Sequence, residues 1–153
     1  MIYEINTQYG GKVKVQPRVE LYTVKDAIMG KELYGIAIDL DEQDGGYPMP
    51  FARLTANFGE FIGLKNAAYI DTNNCRFADQ LLKAGIAQDT GLTKVGAYCR
   101  YPLWIFDEKF LKEHGAENYA EYEKAYNQYM GIETTDAEPE PEENDGSGFV
   151  INQ

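Results

Sequence analysis

This chain has little of what catalysis and metal binding ordinarily draw on. Among 153 residues there is one histidine, His114, and there are two cysteines, Cys75 and Cys99. A Cys-His nucleophile pair would have to bring His114 to one of these thiols, and no flanking pattern matches a cysteine-hydrolase signature. A zinc site would need the same three residues gathered from distant positions, because no Cys-x-x-Cys spacing exists. Long apolar runs are missing too; none approaches the roughly 20 residues that span a bilayer. The opening Met1-Ile2-Tyr3-Glu4 has no basic region ahead of an apolar one. A cytoplasmic protein with reduced thiols and no membrane association is therefore expected. Basic stripes are lacking, so direct nucleic-acid binding is not expected.

What is present is acid and tyrosine. The formal charge is −11, with 14 Lys and Arg against 25 Asp and Glu. Seven of the acids fall between Glu133 and Asp145, where no base stands. The acidity thus belongs largely to a tail, and the body is mildly acidic. There are 12 Tyr and 7 Phe against one Trp, ample ring area for a core.

The order of patterns predicts an α+β fold: an antiparallel sheet of five or six strands packed by two or three helices. Residues 1–132 form one domain in this reading, and 133–153 form an acidic, Pro- and Gly-containing disordered tail. Ile2–Ile5 reads as a strand, turned at Gly10-Gly11 into a long alternating run. There Val13, Val15, Pro17, Val19 and Leu21 share one face. Pro17 cannot donate to a ladder and marks an edge or bulge. Lys25–Lys31 is a connection. Leu33–Leu40, Phe51–Phe58 and Ala67–Ile70 read as strands, and Lys94–Phe106 as one long strand interrupted or ended at Pro102. Asp71-Thr72-Asn73-Asn74 offers four residues of the N-capping type before a helix carrying Phe77, Ala78, Leu81 and Leu82, with Gly85 at its left-handed end. Glu108–Lys112 reads as a short helix, with His114 capping its end or lying at the surface. Asn118–Met130 is the clearest helix.

Chemistry-bearing motifs are few. Asp39-Leu40-Asp41-Glu42-Gln43-Asp44-Gly45 has the acidic rhythm of a calcium loop. Its register puts Asp44 where Gly is required and Pro50 where the bidentate Glu belongs, so it reads as an acidic hairpin turn. The Gly pairs at 10–11 and 45–46 lack the Lys and the strand-to-helix context of a phosphate loop. The two cysteines read as small buried hydrophobes. Tyr119, Tyr122, Tyr126 and Tyr129 recur at helical spacing and form one stripe, either the core face of the last helix or an exposed binding face.

The stretches Tyr69-Ile70-Asp71-Thr72-Asn73-Asn74, Leu81-Leu82, Gly85-Ile86-Ala87, Thr90-Gly91 and Gly96-Ala97-Tyr98-Cys99-Arg100-Tyr101-Pro102-Leu103 are similar to an uncharacterised domain family. That family occurs in Firmicutes and other gut bacteria, often on conjugative or phage-like elements. The resemblance covers residues 33–107 and carries no catalytic residue. It implies a small accessory protein of a mobile element. The functional expectation is a non-enzymatic interaction protein, its sharp form an inhibitor of host defence of the anti-restriction or anti-CRISPR type. No cofactor is expected. The partner would be a protein with a basic surface. The residues expected to meet it are Asp39, Asp41, Glu42 and Asp44 together with Tyr119, Tyr122, Tyr126 and Tyr129. The alternative is a small-ligand-binding domain, or an enzyme using carboxylate or tyrosine chemistry.

Overall fold

The alternation that begins at Lys12 becomes the longest strand of a computed structural model that describes residues 1–25, 30, 32–43 and 45–132. The element order is β1 (Tyr3–Asn6), β2 (Lys12–Lys25), β3 (Glu32–Gln43), β4 (Pro48–Arg53), β5 (Thr55–Ala56), β6 (Ala67–Ile70), α1 (Ala78–Lys83), β7 (Ala87–Val95), β8 (Arg100–Phe106), α2 (Glu108–Gly115) and α3 (Glu117–Met130). The fold is α+β, with every strand pair antiparallel. In place of one sheet of five or six strands there are two sheets of four, ordered β1-β2-β3-β4 and β5-β6-β8-β7. The tail 133–153 and most of the 25–31 connection lie outside the described residues.

Two local events account for the second sheet. The run Phe51–Phe58 is not one strand; it breaks at Leu54. The Leu54 N–H donates to the Ile38 carbonyl of the first sheet, 2.8 Å, and its carbonyl accepts from Asp71 N beside the second, also 2.8 Å. The Thr55 hydroxyl accepts from Ile38 N at 3.0 Å. Leu54 is fully buried, so both polar groups need these partners. The second event is at Gly96. The expected long strand 94–106 folds back as a hairpin, its turn closed by Gly96 N donating to Cys99 O at 2.8 Å. Pro102 lies inside β8 rather than at its end, opposite Thr93.

The apolar face of β2 carries Val15, Pro17 and Val19 inward, as the alternation requires. Pro17 lies beyond Val15, the last residue of β2 paired with β1, on a flank that β1 leaves open. Its carbonyl accepts from the His114 ring. Helices α2 and α3 lie across this face. Asn118 Nδ2 donates to Val19 O at 2.9 Å, and a Cβ on Gly115 would meet Val19 at 3.0 Å. The main core joins Ile36, Ile38 and Leu40 to Leu54, Ile70, Leu81, Phe106, Leu111 and the rings of α3.

The Asp71–Asn74 segment does not cap α1. The helix begins only after Phe77, with no side-chain cap. Asp71 instead closes a turn, accepting from Asn74 N at 3.2 Å and from Asn74 Nδ2 at 2.8 Å. Gly85 follows the helix in the left-handed conformation expected of it, at φ +89°. Among the described residues no helix is long and apolar enough to cross a membrane.

Candidate interaction surface

The tyrosine stripe of α3 is mostly core. Tyr119, Tyr122 and Tyr126 are buried, and their hydroxyls are committed. Tyr119 donates to Asn66 Oδ1 at 3.0 Å, Tyr122 accepts from Asn66 N at 2.8 Å, and Tyr126 donates to Gly63 O at 3.0 Å. Burial pushes the phenols of Tyr119 and Tyr122 well above their ordinary range. These three rings have no free face to offer a partner. Tyr129 alone of the stripe is exposed, its ring edge-on to Phe61 at 5.1 Å.

The acidic candidates divide. Asp39 holds Arg53 through two bonds, Nε–Oδ1 at 2.6 Å and Nη2–Oδ2 at 2.9 Å, and lies 3.7 Å from Arg18 Nη1. Asp41 takes Arg18 Nε at 3.0 Å, and Glu20 bonds the same guanidinium. The Arg53 hydrogen bond holds the Asp39 carboxyl below its usual range. This ladder of alternating charge is neutralised within the sheet, so Asp39 and Asp41 present no bare acidic patch. Glu42 is half-buried near the end of β3, and Asp44 lies outside the described residues.

The thiols and the imidazole are not assembled into a centre. Cys75 is buried, donates to Arg53 O at 3.3 Å, and has its thiol pushed up to about 11, chiefly by burial. Cys99 is not a core residue; it sits half-buried in the β7–β8 turn, beside Tyr101. His114 is neither a surface residue nor a helix-end cap. Its side chain is only 2% exposed, packed 4.8 Å from the Phe110 ring and 6.4 Å from that of Tyr3. Burial lowers its pKa. Among the described residues no three His, Cys, Asp or Glu side chains are grouped so as to hold a metal ion.

The turns carry a feature that the sequence reading passed over. Three hairpin connections each display one tyrosine almost wholly in water: Tyr9 at 89%, Tyr47 at 84% and Tyr98 at 99% exposure. Each lies within two residues of a turn glycine: Tyr9 before Gly10, Tyr47 after Gly46, and Tyr98 two positions after Gly96. That adjacency was the available signal, since turn glycines predict a tip and a tip residue cannot reach the core. Tyr9 stands on a firm platform. Thr7 N donates to Gly11 O at 2.8 Å, Gly11 N donates to Thr7 Oγ1 at 3.2 Å, and Gly10 turns at φ +86°.

The sheet registers set two of these tips at one end of the first sheet and the third at the β7–β8 turn of the second. The register Val15↔Glu42 puts the 7–11 turn and residues 45–47 at the same end of the first sheet. The 73–77 segment lies there as well, because a groove of about 750 Å³ is walled by Thr7, Gln8 and Tyr9 on one side and Asn73, Asn74 and Arg76 on the other. The register Tyr69↔Leu103 runs β6 toward Asp71 while β8 comes from the β7–β8 turn on the same side. The groove floor is the tilted pair Phe51 and Phe77, centroids 5.6 Å apart. Gln80 ties its two walls together: its Oε1 accepts from Asn6 N at 2.8 Å and its Nε2 donates to Asn6 O at 2.9 Å, as a neighbouring strand would.

The fold and this surface define a small two-sheet α+β protein with an aromatic, turn-built end. The chain belongs to the family described as Domain of unknown function (DUF4313), which it matches over residues 26–126. No curated protein and no solved structure matches it. The match holds Tyr47, Tyr98 and the 73–77 wall of the groove; Tyr9 and its hairpin precede it.

Proposed function

We propose that the protein is a non-enzymatic interaction module that meets a protein partner with the turns bearing Tyr9, Tyr47 and Tyr98. The observation that carries this is one water-exposed tyrosine on each of three hairpin turns, two of them at one end of the first sheet. A turn tip is served equally by Asn, Asp or Ser, which cost nothing in water. Tyrosine there keeps a large ring exposed, and such rings supply rigid contact area at low entropy cost when a partner covers them.

The similarity of the 69–74 and 96–103 stretches to proteins of conjugative and phage-like elements in Firmicutes supports a setting. In it this is a cytoplasmic accessory protein of a mobile element, and inhibition of host defence is its sharpest form. A basic partner would be drawn by the net charge of −11. Asp39 and Asp41 would contribute little, being already paired with Arg53 and Arg18. The groove favours a second reading, a small-ligand-binding domain, because it joins an apolar floor to convergent polar groups.

The test is capture from a bacterial host lysate with three tagged proteins: the full chain, a Tyr9→Ser/Tyr47→Ser/Tyr98→Ser variant, and Tyr129→Ser. Circular dichroism checks that each is folded. A partner retained by the full chain and by Tyr129→Ser but lost by the triple variant is expected. Retention of every captured protein by a folded triple variant would overturn the reading.

A further inference from the structure

The groove beside Tyr9 gathers several side chains with unspent hydrogen-bonding groups. Arg18 and Arg53 are bound to carboxylates. Arg76 is the one charged residue in the groove lining and is exposed, with no ion pair to any described residue. Gln8, Tyr9 and Asn73 likewise make no side-chain hydrogen bond to a described residue, whereas Gln80 and Asn74 are engaged. The groove therefore presents a guanidinium, two primary amides and a phenol over two phenylalanine rings.

We infer that this groove binds an extended peptide segment carrying one carboxylate, set in the otherwise basic surface of the partner, an inference that rests on the interaction reading above. Each part of such a segment has a counterpart. A carboxylate matches the planar fork of Arg76. Backbone N–H and C=O groups match the amides of Asn73 and Gln8, each of which donates and accepts. An apolar side chain matches the Phe51–Phe77 floor. The volume of about 750 Å³ suits a stretch of a few residues rather than a globular surface. A single-stranded nucleic acid shares the need for a cation and stacking rings. It is disfavoured because the lining holds one cation, which matches a single carboxylate and not a run of phosphates.

The experiment is selection from a randomised decapeptide display library on the full chain, followed by anisotropy titration of the winning peptides. The expected peptides are enriched in Asp and Glu. Arg76→Glu should weaken them by at least about tenfold, as loss of a charge-assisted bond requires. Exchanging their acids for Lys should restore binding to that variant. Arg100→Glu, at an exposed arginine outside the groove lining, should leave affinity unchanged. Winners without acidic enrichment, no winners, or winners indifferent to Arg76→Glu would each overturn the inference. So would a dT12 oligonucleotide that binds in an Arg76-dependent way. Winners indifferent to Arg76 but lost on Tyr47→Ser/Tyr98→Ser would sink the groove while leaving the tyrosine surface standing.

Discussion

Asn66 is where the α3 tyrosines are anchored, and replacing it measures how firmly they belong to the core. Its backbone is left-handed, at φ +67°. Its side chain accepts the Tyr119 hydroxyl, its N–H bonds the Tyr122 hydroxyl, and its carbonyl takes Phe106 N at 2.8 Å. Asn66→Ala removes two things. Alanine in the left-handed region costs about 1–2 kcal/mol, a cost that asparagine partly escapes and glycine avoids. The Tyr119 hydroxyl, on a residue 1% exposed, loses its acceptor at about 1–3 kcal/mol. Together these give about 3 kcal/mol, a fall in Tm of roughly 10 °C for a domain of this size. Asn66→Gly should lose only the second part, about half as much. In a Tyr119→Phe background, Asn66→Gly should cost almost nothing more, because no hydroxyl is left to orphan. The assay is urea and thermal unfolding of wild type and the four variants followed by circular dichroism. An Asn66→Gly variant less stable than Asn66→Ala would refute the backbone argument. Additive losses in the double variant would refute the Tyr119 bond.

His114 should make the fold sensitive to mild acid. Its pKa is lowered by burial, so the folded ring stays neutral while the unfolded one takes a proton, and stability falls as the pH drops below the ordinary 6.5. His114→Phe should flatten the dependence of the urea midpoint between pH 6.5 and 5 relative to wild type. Cys75, with its thiol near 11 and 1% exposure, should react with a thiol reagent at pH 8 only at the rate of unfolding, which a urea series during labelling will show. Gly35→Ala should destabilise by about 1 kcal/mol, because the new Cβ lies 2.2 Å from the ring of its cross-strand partner Tyr22 and overpacking follows. In a Tyr22→Ala background the same change should be neutral or stabilising by equilibrium unfolding.

Legibility in the sequence tracked periodicity. The period-2 run of β2 and the short apolar β6 were readable because their side-chain order repeats the geometry of a strand, and α3 because its rings recur at helical spacing. The two sheets were not readable. Leu54 stands between Arg53 and Thr55 in an ordinary strand-like run, and nothing in its type shows that its N–H and carbonyl go to different sheets. The β7–β8 turn was missed because Pro102 drew attention as the break, although Gly96 makes it. Asp71–Asn74 suited a helix cap and an Asx turn equally, and only the later start of α1 decides between them. The pairing of Asp39 was hidden for a similar reason: that it faces Arg18 and Arg53 depends on a register fixed between three strands. The exposed tyrosines were hidden by composition, since a chain rich in rings reads as one with a large core.

Leu54 has a consequence for how the molecule opens. One residue supplies hydrogen bonds to both sheets, and its side chain lies in the core they share. Either sheet can separate only by stripping a fully buried peptide group of a partner, and neither half keeps an intact core when it does so. The slowest-exchanging amides of the two sheets should therefore report one common opening free energy, equal to that of global unfolding, with Leu54 and Asp71 among them. In kinetic terms the two sheets form one foldon, closed at Leu54 and the neighbouring Thr55 hydroxyl.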